Sequence, residues 1–178
     1  MLIPRSPAPA LSVPLVSGGT WTLAERTPQS FTVIVFYRGK HCPICRDYLA
    51  SIEAHLDEVG AAGLDIVAVS MDDEERARSS TADWGIARLA VGYGMSEATA
   101  RAWSLYISSQ RPGSSEPMRF SEPATVVVYP DGRIFFVAVQ SAPFTRPAID
   151  ALVRGLKFAA ENAYPARGDL TLETHLAD

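Results

Sequence analysis

The stretch from Phe31 to Leu49, FTVIVFYRGKHCPICRDYL, carries most of what this sequence says about its fold. Phe31 to Tyr37 are apolar, β-branched or aromatic. A short run with that composition reads as a buried strand. Beyond it Ile44, Tyr48, Ile52, Leu56 and Val59 recur near helical spacing, with Leu49 on the same face. An amphipathic helix is therefore predicted, ending near Gly60 and Gly63, with His55 in its middle. Cys42-Pro43-Ile44-Cys45 falls at the turn where strand becomes helix.

Outward from this core the pattern repeats. Leu64 to Val69 (LDIVAV) reads as a second strand, and Asp72 stands at capping-box spacing before Glu75, opening a helix toward Trp84 that Gly85 ends. Arg88 to Val91 reads as a short strand, and Ser96 caps a short helix, SEATARAW. Strand–helix alternation of this kind implies crossover units and a parallel sheet. Thr125 to Tyr129, the turn Pro130-Asp131-Gly132 and Ile134 to Val139 form an antiparallel hairpin. A last helix puts Ile149, Leu152, Val153 and Leu156 on one face. Residues 1 to about 20 read as an extended lead-in with a turn at Ser17-Gly18-Gly19, and residues from about 164 to 178 as a loose tail. The stretch from Ser104 to Pro123, which contains SSQRPGSSEPMRFSEP, reads as a long loop. Loops of that length are often functional, and this one leads straight into Pro123, so it is expected to border the site and to move.

The chain has 178 residues, which fits one domain spanning all of it. A hydrophobic fraction of 47% with 20% charged residues excludes wholesale disorder. No apolar run approaches the roughly 18 residues a membrane-spanning helix needs. A net charge of −4 argues against nucleic acid as a partner. The only lysines are Lys40 and Lys157, against 14 arginines, a bias read as GC-rich codon usage and a bacterial genome. Pro4, Pro7, Pro9 and Pro14 interrupt any secretory signal, so a cytoplasmic location is expected.

Chemistry concentrates at the only two cysteines, Cys42 and Cys45. Residues i and i+3 on the first turn of a helix share a face, so the two sulfurs can approach bonding distance. Free N–H groups and the helix dipole there favour a thiolate, the form that attacks disulfides and peroxides. Pro43 suits the first turn, and His41 and Arg46 flank the pair and could add positive potential. Three other readings compete. Zinc wants four ligands, and beyond the cysteines only His41, His55 and His175 are available among the usual nitrogen ligands, without a second C-x-x-C or an H-x-x-x-H. A structural disulfide across so short a loop gains little, and the cytosol is reducing. Inert buried thiols would make the placement a coincidence. His41 also reads as a plain residue before the helix, and Arg38 and Arg46 as solvated or structural.

FYRGKHCPICRDYL followed by helix, strand, helix and then EPATVVVYPDGRI resembles the thioredoxin-fold redoxins. Within these it is most similar to the peroxiredoxin-like group related to alkyl hydroperoxide reductase and thiol-specific antioxidant (AhpC/TSA) proteins, over roughly residues 10 to 167. The resemblance implies an α/β thioredoxin-like fold, a central mixed β-sheet with a C-terminal antiparallel hairpin, flanked by helices. It also implies that Glu122-Pro123 is cis and faces the dithiol. Two alignments of the motif remain. Counting as in peroxiredoxins makes Cys45 the peroxide-reacting cysteine, but the usual Thr and Pro places then hold Cys42 and Arg38, and the usual arginine falls on Pro123. Counting as in thioredoxins makes Cys42 the exposed attacking thiol and Cys45 the inner resolving one.

The resulting expectation is a thiol–disulfide oxidoreductase cycling Cys42 and Cys45, with Pro123, Glu122, His41, Arg38 and Arg46 positioning the substrate. That substrate is an oxidised protein disulfide, a small thiol or a hydroperoxide. An external thiol reductant resets the pair, and a homodimer is an option of the fold. Backbone groups beside Pro123 would align the substrate as an added strand. No G-x-G-x-x-G or phosphate-binding loop is present, so neither cofactor nor metal is expected. The alternatives are a thiol peroxidase and a redox-sensing binding module without turnover.

Overall fold

Two short strands, β1 (Ser12–Pro14) and β2 (Thr20–Thr22), open the computed structural model, which describes residues 1–170. They pair antiparallel around Gly18 and Gly19, both at positive φ. Leu11 and Val13 are buried, so the extended lead-in is a hairpin tied to the core. Then β3 (Phe31–Phe36), α1 (Pro43–Ala54), α2 (Leu56–Ala61), β4 (Leu64–Val69), α3 (Glu74–Asp83), β5 (Ala90–Gly92) and α4 (Glu97–Ala102) alternate as expected. β6 (Ile107–Ser109), β7 (Arg119–Ser121), β8 (Ala124–Val128), β9 (Ile134–Val139) and α5 (Ile149–Glu161) follow.

Five strands make one sheet in the order β5-β4-β3-β8-β9. β3 runs parallel to β4, and β4 to β5, as helical crossovers require; β8 and β9 are antiparallel. This is the α/β thioredoxin-like sheet with its C-terminal hairpin. β3 lies in the middle and is buried along its whole length. Val33, Val35 and Tyr37 pack with Leu49 and Ile52 of α1 and Val153 and Leu156 of α5. Ile34 and Phe36 point to the other face, toward Leu11, Met95 and Trp103. Side chains alternate at period two, so a strand covered on both faces reads as a nearly continuous apolar run, broken here only by the buried Thr32. Leu49 is fully buried between α1 and the sheet. Leu49→Ala is expected to cost about 2 to 5 kcal/mol, read as a lower urea midpoint at unchanged slope.

Four expectations need correction. The helix predicted through His55 breaks there into α1 and α2. His55 Nδ1 donates to the Ser51 carbonyl (2.7 Å), the acceptor that its own N–H would use in a continuing helix, and that N–H goes to Ile52 instead. The cap of α3 is Asp73, whose Oδ1 accepts the Arg76 N–H (2.9 Å), and Asp72 turns inward. The long loop holds a hairpin, with Ser108 opposite Phe120. Of the tail expected to be loose, the part from 164 to 170 is pinned: the Ala166 N–H donates to the Tyr129 hydroxyl (3.1 Å), and Arg5 pairs with Asp169 (2.9 Å). Residues 171–178 lie outside the described residues. Among the described residues no helix is long and apolar enough to cross a membrane.

Candidate active site

The turn between β3 and α1 is clamped by Asp72, on the connection from β4 to α3. Gly39 has φ +116°, and a Cβ there would fall 2.6 Å from both Asp72 carboxylate oxygens. Only glycine fits on both counts. The Asp72 carboxylate is fully buried and accepts from the Lys40 N–H (2.6 Å) and from Arg76 Nε (2.9 Å). The Cys42 N–H donates to the Gly39 carbonyl (3.1 Å), so this clamp sets where the first sulfur lies.

Cys42 is the N-cap of α1, with Pro43 at the first helical position. Its Sγ accepts the Cys45 N–H (3.2 Å), the usual service of an N-cap side chain. Both thiols are free. The Cys42 thiol is pushed down to about 6. A hydrogen bond from the Cys45 side chain does most, helped by the Cys45 N–H and the charges of Arg146 and Arg38, against burial, which acts the other way. Cys45 is pushed strongly up, first by burial and then by its hydrogen bond to Cys42 and the charge there. Near neutral pH the pair is therefore a Cys42 thiolate beside a Cys45 thiol. The exposed attacking thiol of the thioredoxin count is not exposed, however. Cys42 shows 1% of its surface and Cys45 none, because both pack against Tyr37 and Leu49.

An arginine invisible to motif reading reaches the pair. Arg146, on the connection between β9 and α5, puts Nη2 3.0 Å from Cys45 Sγ. Its Nη1 donates to the Pro143 carbonyl (2.9 Å), and its guanidinium lies 5.4 Å over the Tyr48 ring. The Tyr48 hydroxyl in turn holds the Pro147 carbonyl (2.8 Å). The strand-start place that the peroxiredoxin count assigns to an arginine is Pro123, yet a cation arrives from 101 residues beyond Cys45 in the chain.

Of the predicted positioning residues, Arg38, His41 and Glu122 gather beside the dithiol. Arg38 lies 3.1 Å from Glu116 and 3.3 Å from Glu122, over the Phe120 ring at 4.6 Å. The Arg38–Glu116 pair brings the 108–120 loop to the dithiol end of the sheet, where it was expected. Ser108 donates to Glu122 (2.6 Å). His41 stacks edge-on against Phe120 and adds no positive charge: burial, then the Arg38 charge, push it down to about 4. Arg46 points to solvent and pairs with Asp47 (2.9 Å), outside the site.

The Glu122-Pro123 peptide is trans, contrary to expectation. The Glu122 N–H bonds the Tyr106 carbonyl (2.8 Å) and Ala124 already pairs with Phe36, so the chain enters β8 extended. The Pro123 carbonyl accepts the Gln140 N–H (2.9 Å) inside the sheet and is not free to align an added strand.

The model of the AhpC/TSA family matches residues 4–137, more than half of the chain. The chain belongs to the AhpC/TSA family. This AhpC/TSA protein is thus an oxidoreductase, a thiol-dependent peroxidase or thiol–disulfide oxidoreductase. Its fold is that of several solved structures. The bacterioferritin comigratory protein of Xanthomonas campestris is 24% identical with a TM-score of 0.67, covering 84% of this chain and 92% of that one. Peroxidoxin BcpB of Mycobacterium tuberculosis is 13% identical with a TM-score of 0.68, over 92% and 99%. A putative thiol:disulfide interchange protein DsbE from Chlorobium tepidum is 20% identical with a TM-score of 0.66, over 90% and 99%. At these identities the likeness speaks for the fold alone. No curated protein matches the chain.

Proposed function

We propose that this AhpC/TSA protein is a thiol–disulfide oxidoreductase whose working group is Cys42-Pro43-Ile44-Cys45. One observation carries the reading: Cys42 caps the helix and its Sγ accepts the Cys45 N–H (3.2 Å), which favours its thiolate, while Cys45, one turn in, is fully buried, which favours its thiol. The Cys42 thiolate attacks one sulfur of an oxidised protein disulfide and expels the other as a thiolate. Cys45 then gives up its proton and attacks Cys42 Sγ. The partner leaves reduced, and Cys42–Cys45 is the disulfide. An external thiol returns two electrons, and the cytoplasm expected from the sequence supplies such thiols. Arg38, Glu122 and His41 shape the approach; Arg46 and Pro123 have no part in it.

Alkylation of the reduced protein against pH, with each cysteine mapped by mass spectrometry, tests this. The thiolate reacts, so Cys42 labelling is expected to fall as pH drops through about 6 and to be flat above it, while Cys45 stays unlabelled. Inflections of both thiols at or above the free-cysteine value of about 8.5 would contradict the reading.

The Arg146 contact to Cys45 favours a second reading, a thiol peroxidase for hydrogen peroxide or organic hydroperoxides in which Cys45 becomes a sulfenic acid. A redox sensor, the non-enzymatic alternative, would show one oxidation event and a changed association with a second copy instead of turnover.

A further inference from the structure

We propose that Arg146 makes the oxidised dithiol selective for anionic thiols as its reductant. This rests on the dithiol cycle above. Arg146 is half-buried, and its Nε is buried without a partner. Its polar contacts are Cys45 Sγ and the Pro143 carbonyl. Among the described residues no carboxylate pairs with it. The groove it borders, about 350 Å³ beside α1, is lined on its apolar side by Ile44, Tyr48 and Phe144. The two acids lining the same groove are already engaged, Asp47 with Arg46 (2.9 Å) and Asp150 with Arg154 (2.8 Å). Of the other titratable groups there, His55 has its Nδ1 on the Ser51 carbonyl and Tyr48 its hydroxyl on the Pro147 carbonyl.

In the reduced protein the thiolate of the pair balances Arg146. Closing the disulfide removes two electrons and that negative charge, and leaves a half-buried cation without a counter-ion. A thiol that carries a carboxylate or sulfonate restores the balance as it binds. The chemistry then follows. The reductant thiolate attacks Cys42 Sγ, and the electron pair of the Cys42–Cys45 bond leaves on Cys45. Burial makes Cys45 a poor leaving group, and the Arg146 N–H at its sulfur offsets this. A second reductant thiolate attacks the mixed disulfide, releasing the reductant's own disulfide and the Cys42 thiolate, and Cys45 takes up a proton. The net charge of −4 would by itself draw cationic thiols, so a preference for anions identifies a local cation.

The test reduces the oxidised full-length protein with 2-mercaptoethanesulfonate, 2-mercaptoethanol or cysteamine at low salt, with rates compared at equal thiolate concentration. The sulfonate is expected to react about fivefold faster than the neutral thiol, the size of one partly exposed charge pair, and cysteamine more slowly. Arg146→Gln removes that order, Arg146→Lys keeps it, and added salt compresses it in the wild type. An absent or reversed order in the wild type, or the same order in Arg146→Gln, overturns the assignment. Loss of the order in Arg146→Lys as well would show that the loop's shape and not its charge matters, and overturns it too. A wild-type protein that forms no Cys42–Cys45 disulfide overturns the cycle itself and this inference with it. A disulfide that forms and is reduced without regard to charge overturns this inference alone.

Discussion

Cys42→Ser is expected to lose turnover of an oxidised protein partner by on the order of 10⁴-fold or more, the scale seen when an attacking nucleophile is removed. Cys45→Ser is expected instead to accumulate a stable mixed disulfide through Cys42, because the thiol that would resolve it is gone. The asymmetry comes from acidity and not from exposure, since both residues are almost wholly buried. Cys42 is ionised at neutral pH, and burial keeps Cys45 protonated until an intermediate has formed. Intact mass after exposure to an oxidised partner reads both outcomes. A sulfenic acid on Cys45 of Cys42→Ser, with nothing trapped by Cys45→Ser, would exchange the roles and make the protein a peroxidase.

The second large effect is on stability. Gly39→Ala forces a Cβ to 2.6 Å from the Asp72 oxygens at a φ that alanine avoids. Asp72 cannot retreat, because it is fully buried and holds the Lys40 N–H and Arg76. Strain at the turn and a weakened buried carboxylate together imply a loss of about 2 to 4 kcal/mol in urea unfolding. Gly18→Ala is the control. It also has positive φ but open space around it, so only the backbone term of about 1 kcal/mol applies. Equal losses in the two variants would contradict the clamp. Because the clamp positions Cys42, Gly39→Ala should also raise the pH at which Cys42 is alkylated.

The parts of the fold legible in the sequence were those where a strong local signal and the tertiary environment agree. Phe31 to Phe36 is apolar but for Thr32, because the middle strand meets a core on each face. Ile134–Val139 was bounded correctly, with the Pro130-Asp131-Gly132 turn before it. Ser96 capped its helix as read, its Oγ accepting the Thr99 N–H (3.0 Å). Where several residues could do one job, local reading slipped. Asp72 and Asp73 both offer an N-cap oxygen, and only tertiary contact shows that Asp72 is needed elsewhere. β6 and β7 are three residues each and mostly polar, too short for a period to register. At the site, the cysteine spacing and the N-cap were visible, while the cation was not. Arg146 meets Cys45 only because the β9–α5 connection folds back over α1, and no spacing rule relates residues so far apart. The resemblance pointed to Pro123 for that end of the site, and its cis bond did not hold because β7 delivers the chain into β8 already extended.

In the proposed cycle the dithiol passes electrons to a disulfide. Steady-state turnover of the wild-type protein with excess thiol reductant, offered a protein disulfide, hydrogen peroxide and an organic hydroperoxide side by side, tests it most directly. Sustained reduction of the protein disulfide, with Cys42–Cys45 as the oxidised species in the quenched mixture, is the predicted result. Turnover of the peroxides alone, with a sulfenic acid on Cys45 and the protein disulfide untouched, would contradict it.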